Sequence, residues 1–298
     1  MRIVYLGTSE FAAGVLRALA GSPHRPVLVM TRPDRPRGRG RRFAAPPVAD
    51  AARELEIELD QPESVNLPDA RARIAAATPD VLCVCAFGAL IKEPLLSEHP
   101  LLNVHPSLLP RWRGAAPIER AIMAGDQRTG VSIMRVGAGL DSGPVCAQAP
   151  EPISDRDSYG TLAARLEELG GRLLIGALDE SPPCRDQDEA QATYAEKLTA
   201  EDRRLSPARP AIELERVVRA LSPHVGAGVE LDDGTRLGVW EARVAGPAGA
   251  AGPREGELRT DGAAPVLGCR EGALELLVVQ SPGRRAMPAA DYLRGRRG

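Results

Sequence analysis

Residues 3–19, IVYLGTSEFAAGVLRAL, decide the fold. Ile3, Val4, Tyr5 and Leu6 form a continuous apolar run closed by Gly7, the composition of a strand buried on both faces. From Glu10 onward Phe11, Val15, Leu16 and Leu19 recur at helical spacing. Working outward, 26–31 and 80–87 are further apolar strands, 101–105 is a strand, and 130–136 is a strand of alternating polarity. The segments 47–55, 70–77 and 116–124 are helical, and 159–178 is a long amphipathic helix. Strands apolar on both faces alternating with helices predict an α/β domain, a Rossmann-like and mostly parallel sheet covered on its two sides.

The pattern changes after Ser181-Pro182-Pro183. Residues 183–208 are polar and rich in breakers, the composition of a linker. Beyond it one helix, 211–221, precedes strand-like pieces at 228–231, 236–244, 264–269 and 273–279, with turns such as Asp232-Asp233-Gly234 between them. That spacing predicts a smaller OB-like β-barrel domain. The expected organisation is a catalytic domain over 1–182, a linker over 183–208 and a second domain over 209–298. The Gly-, Ala- and Pro-rich tract 245–256 is expected as a mobile loop.

The chain has 298 residues, 43% hydrophobic and 26% charged. Its apolar runs stop well short of the roughly 20 residues a membrane helix needs, and the N-terminus turns polar at Thr8-Ser9-Glu10 before an export signal could form. A soluble, cytoplasmic and monomeric protein is expected. Five cysteines, an odd number with no C-x-x-C pair, argue against a disulfide framework and against a zinc site; Cys83 and Cys85 read as buried thiols on one strand. Four widely spaced histidines give a metal cluster little material, and no metal is expected. The net charge of −2 hides two basic segments: 31–42 holds six arginines against one aspartate, and 284–298 holds five against one. With only Lys92 and Lys197 in the chain, arginine is its general cation, so charge alone leaves solvated faces and nucleic-acid contacts both open.

The chemistry concentrates in residues 102–114, LNVHPSLLPRWRG, and in the later Gly139-Leu140-Asp141-Ser142-Gly143. Asn103 and His105 lie two apart at the end of a strand, so they share one face at the sheet edge where open α/β sheets bind ligands. A neutral amide stabilises an oxyanion, an imidazole donates or exchanges a proton near neutral pH, and a carboxylate between glycines accepts the proton an attacking amine loses. Together they suit acyl transfer to an amine. By spacing alone, N-x-H at a strand end is more often a capped loop than a catalytic pair, and G-L-D-S-G alone reads as well as an ordinary turn. Trp112, between Arg111 and Arg113, suits either a ligand ring or packing over the next helix. The first strand-to-helix turn lacks G-x-G-x-x-G, which argues against a dinucleotide.

SLLPRWRGAAPIERAI at 107–122, preceded by N-V-H, is similar to the signature of the folate-dependent formyltransferases. Within that superfamily GTSEFA at 7–12, PDRPRGRG at 33–40, AGD at 124–126 and YAEKLT at 194–199 resemble, in order, the members that act on methionyl-initiator tRNA. The resemblance covers nearly the whole chain. It implies Asn103, His105 and Asp141 as catalytic residues and 10-formyltetrahydrofolate as co-substrate, with Ser107, Leu108, Leu109 and Pro110 lining the folate site. It also implies Arg35, Arg39, Arg41 and Arg42 as contacts to methionyl-initiator tRNA. The chain departs from the pattern at Ser9, where proline is common, and at Pro223-His224, where Pro-Trp is frequent. Competing readings are a formyltransferase acting on a small amine such as a nucleotide sugar or glycinamide ribonucleotide, a formyl-folate hydrolase, and a non-catalytic RNA-binding protein.

Overall fold

The computed structural model describes residues 1–37, 42–245 and 252–297. They pack into two compact units that are not contiguous in sequence. The first comprises 1–114, 129–152 and 163–194, and the second 115–128, 153–162 and 195–298.

The first unit is built on β1 (Ile3–Gly7), α1 (Glu10–Ala20), β2 (Leu28–Met30), α2 (Pro47–Glu54), β3 (Leu59–Asp60), α3 (Pro68–Ala76), β4 (Val81–Cys85) and β5 (Leu101–His105). Strands β6 (Arg128–Arg135) and β7 (Val145–Pro152) complete a seven-stranded sheet ordered β7-β6-β5-β4-β1-β2-β3. All pairings from β3 through β5 are parallel, and β6 runs antiparallel to β5. The opening stretch behaves as its composition dictates: Ile3, Val4, Tyr5 and Leu6 are fully buried. Ser9 caps α1 by accepting a bond from the Ala12 N–H at 3.2 Å. At this departure from the expected pattern the residue satisfies an otherwise orphaned donor. Gly7 is required at this turn, because a Cβ there would stand 2.8 Å from a Tyr5 ring carbon and 3.2 Å from the Cys85 carbonyl.

Cys83 and Cys85 are buried free thiols, as expected, and desolvation pushes both up to about 12. The expectation against disulfides fails at one place: Cys146 and Cys184 are bonded. Motif spacing detects only local cysteine pairs. These two are 38 residues apart in sequence, with Cα atoms 3.9 Å apart. Backbone hydrogen bonds between Val145 and Arg185 run beside them, so the first part of the presumed linker is docked on the start of β7.

The second unit carries α4 (Pro117–Ala124), α6 (Ala211–Leu221) and an antiparallel sheet. Between those helices α5 (Tyr159–Glu180) begins in the second unit and ends in the first. The sheet is ordered β8 (Ala227–Glu230), β9 (Arg236–Ala245), β12 (Ala273–Gln280), β11 (Val266–Gly268), β10 (Leu258–Arg259), with β13 (Met287–Pro288) also pairing β12. Leu214, Val217, Val218 and Leu221 of α6 are buried against Leu237, Val239, Leu274, Leu276 and Val279, each such side chain contributing ~1.5–3 kcal/mol. Most of the glycine-rich tract expected as a loop, 246–251, lies outside the described residues. The basic tail instead folds as α7 (Ala289–Arg297). At the Pro223-His224 departure the imidazole stacks on Tyr159, ring centroids 3.7 Å apart, and meets the Glu119 carboxylate at 3.0 Å.

Arg120 of α4 donates to both oxygens of Asp202, at 2.6 and 3.1 Å, and Thr199 adds backbone and hydroxyl donors at 2.8 Å. The Arg120 bonds, followed by those from Thr199, hold the Asp202 carboxyl down at about 2. A depressed carboxyl stabilises the fold above its unfolded value and loses that contribution as pH falls through the folded one. Asp202→Asn is therefore expected to cost ~2 kcal/mol at pH 7 and about half of that at pH 3. Urea midpoints of both proteins at the two pH values check it, and a pH-independent difference refutes the linkage.

Candidate active site

Strand β5 is the last parallel strand before the sheet reverses direction, and its carboxyl end opens where such sheets hold ligands. Asn103 and His105 occupy that end on one face, while Val104 between them is turned into the core. Asn103 is half-buried, and among the described residues its side-chain amide has no hydrogen-bond partner. His105 is almost wholly buried and is held by Nε2, 2.8 Å from the Trp112 carbonyl oxygen. A carbonyl only accepts, so Nε2 carries the proton in that bond and Nδ1 is left for chemistry.

Nδ1 faces Asp141 Oδ2 at 3.7 Å, an ion-pair distance when the ring is protonated and too long for a direct hydrogen bond. The same Oδ2 accepts from the Gly114 N–H at 2.9 Å. The structure thus brings His105 and Asp141 together, and the bond that orients the imidazole comes from a main-chain carbonyl. Both residues that meet the ring have left-handed backbones, Trp112 at φ 63° and Asp141 at φ 45°. Such conformations cost on the order of 1–3 kcal/mol each and persist where the surroundings hold them. Thr193 does so for Trp112: its hydroxyl accepts from the Trp112 N–H at 2.9 Å, and its carbonyl accepts from the Arg113 N–H at 2.9 Å.

The Ser107-Leu108-Leu109-Pro110 segment is a tight turn held by bonds to Arg111, Ser132 and Gln148. The Ser107 hydroxyl donates to the Arg111 carbonyl at 2.6 Å, and the Ser107 carbonyl accepts from Ser132 at 2.6 Å. Gln148 donates to both the Leu109 carbonyl and Ser132. Ser107 and Leu109 are buried, whereas Leu108 and Pro110 are partly open to solvent and supply the apolar surface here. The Arg111 guanidinium lies over the Trp112 ring, 4.4 Å from its centroid.

Of the four arginines implied as tRNA contacts, Arg35 is exposed on a two-stranded hairpin, Arg35–Arg37 against Arg42–Ala44, with Phe43 75% exposed on the returning strand. Arg42 belongs to that strand, and Arg39 and Arg41 lie outside the described residues. No group of three or more His, Cys, Asp or Glu side chains among the described residues is arranged to hold a metal ion.

Sequence reading missed Arg113, Gln187 and Glu189. Arg113 is 1% exposed, and its guanidinium forms a two-pronged pair with Glu189, both bonds 2.8 Å, while its Nε donates to Gln187 at 3.0 Å. The bonds between Arg113 and Glu189 raise the Arg113 guanidinium and lower the Glu189 carboxyl from their ordinary values. The only signal was an arginine in a segment with too few polar neighbours to pair it. Gln187 and Glu189 sit in the aperiodic polar stretch and gave none.

Known proteins share this architecture. The family described as Formyl transferase matches residues 1–178, and that described as Formyl transferase, C-terminal domain matches residues 197–297. The methionyl-tRNA formyltransferase of Methylococcus capsulatus is 44% identical over 299 residues, spanning 98% of this chain and 96% of that protein. The methionyl-tRNA formyltransferase of Thiobacillus denitrificans is 43% identical, spanning 99% and 97%. Among solved structures, HypX from Aquifex aeolicus in complex with tetrahydrofolic acid shares the fold at a TM-score of 0.65 and 20% identity, over 98% of this chain and 47% of that one. With matching profiles over most of its length and relatives above 40% identity end to end, the chain belongs to the formyl transferase family, among the methionyl-tRNA formyltransferases.

Proposed function

We propose that this chain transfers the formyl group of 10-formyltetrahydrofolate to the α-amine of methionyl-initiator tRNA, with Asn103, His105 and Asp141 carrying the chemistry. One observation carries the assignment of roles: an unpartnered amide and an imidazole with only Nδ1 left for exchange stand at the same strand end, and a carboxylate faces that nitrogen. The folate supplies a formyl carbon already activated by attachment to nitrogen. Asn103 donates to the formyl oxygen as negative charge develops there when the amine attacks. His105 Nδ1 takes part in moving the proton that the amine releases, and the Asp141 carboxylate stabilises the imidazolium that results. The leaving nitrogen of the folate receives a proton as the C–N bond breaks, so N-formylmethionyl-tRNA and tetrahydrofolate leave. No metal ion takes part in this scheme.

Residues Ser107, Leu108, Leu109 and Pro110 line the folate, Leu108 and Pro110 by their open apolar surfaces and Ser107 and Leu109 by holding the turn. The catalytic half is 1–182, joined through 183–208 to 209–298, which helps to hold the tRNA. The protein works as a monomer in the cytoplasm. Incubation with methionyl-initiator tRNA and formyl-labelled folate tests the reading. Label at the aminoacyl end supports it, label released as formate supports a hydrolase, and label remaining on folate refutes both.

Arg35, Arg39, Arg41 and Arg42 bind tRNA phosphates. Replacing all four with alanine is expected to weaken tRNA binding and to flatten the dependence of log K on log salt by about 0.7–0.9 for every phosphate that is no longer neutralised. Dissociation constants measured across a salt series check this, and an unchanged slope returns the hairpin to a solvated surface.

A further inference from the structure

We infer that Gln187 is a positioning residue for catalysis, a clamp that fixes the direction of the Asp141 carboxylate; this rests on the catalytic roles proposed above. The amide of Gln187 is used completely. Its nitrogen donates to the Asp141 carbonyl at 2.8 Å and to the Gly143 carbonyl at 2.7 Å, and its oxygen accepts from Arg113 Nε at 3.0 Å. The two carbonyls straddle Ser142, so one side chain spans the turn that carries Asp141.

That turn needs holding. Asp141 has no glycine's freedom at φ 45°, and the alternative right-handed backbone would swing its carboxylate away from His105 Nδ1 and the Gly114 N–H. Gln187 is itself fixed from both sides. Two residues before it, Arg185 pairs with Val145 through backbone hydrogen bonds in both directions. Two residues after it, Glu189 grips the buried Arg113 guanidinium. Arg113 follows Trp112, whose carbonyl holds His105 Nε2. Hydrogen bonds therefore run from the carboxylate's backbone through Gln187 to Arg113, and the Trp112–Arg113 peptide bond completes the connection to the imidazole's other support. Gln187 acts through Asp141 and not on the reacting atoms themselves.

Two substitutions separate positioning from mere packing. Gln187→Ala removes all three bonds. Gln187→Glu keeps an acceptor for Arg113 and replaces both donors with oxygen facing two carbonyls. The expected result is a fall in kcat of roughly 10- to 50-fold in both variants, KM for folate and tRNA within about twofold of the parent, and unchanged folding by circular dichroism. In an Asp141→Asn background the same two substitutions are expected to lower kcat by no more than about twofold, because the group being aimed is already gone. Gln187→Glu with parental kcat overturns the inference and leaves Gln187 as a partner for Arg113 only. Equal losses with and without the Asp141 carboxylate overturn it as well. A parent protein that moves no label to methionyl-tRNA refutes the proposed reaction instead, so the two failures are distinguishable.

Discussion

Asn103→Ala is expected to lower kcat by about 10²–10³-fold, equivalent to ~3–4 kcal/mol of transition-state stabilisation, with little change in KM for either substrate. The size follows from where the amide sits. It is half-buried at the carboxyl end of β5, has no partner among the described residues, and is set by a strand paired on both sides. A donor fixed in advance costs no reorganisation when charge develops on the formyl oxygen. Alanine keeps the strand and leaves its buried neighbour Val104 untouched, so the loss falls on chemistry and not on folding. Single-turnover rates with saturating folate and tRNA measure it directly. A rate within tenfold of the parent removes Asn103 from the reacting shell.

Asp141→Asn is expected to lower kcat by about 10²–10⁴-fold. Asparagine is close to isosteric, its side-chain oxygen still accepts the Gly114 N–H, and its backbone tolerates the left-handed region better than most residues do. What disappears is the negative charge facing His105 Nδ1 at 3.7 Å. An imidazolium formed at Nδ1 then has no counter-charge, and the proton leaving the amine has a poorer destination. The loss should appear in kcat, with tetrahydrofolate binding unchanged by calorimetry. Retention of activity within tenfold would assign the proton to another acceptor and leave Asp141 as a cap on the Arg113–Gly114 backbone.

The sheet was legible where burial is two-sided. Ile3 to Leu6 and Val81 to Cys85 have no polar residue to place outside, and a central parallel strand is the structure that accepts this. The short edge strand Leu59–Asp60 and the strand Val145–Pro152 were not legible. Two residues carry no periodicity, and VCAQAPEP mixes alternation with two prolines in the manner of a loop. At the site, Asn103 and His105 were legible because a strand's two-residue period puts them on one face. Asp141 needed a family resemblance, since nothing local distinguishes a catalytic aspartate from a turn aspartate between glycines. The Trp112 carbonyl, Arg113 and Gln187 were illegible for a different reason: main-chain acceptors have no residue-type signature, and hydrogen bonds spanning 44 to 76 residues follow from the fold.

The covalent link between Cys146 and Cys184 fastens the strand after the Asp141 turn to the segment bearing Gln187. Glutathione in a reducing compartment opens links of this kind, whereas purification in air closes them. Protein handled under a dithiol and protein left to oxidise are on this account separate reagents. Specific activities from different preparations become comparable only when their thiol content has been titrated.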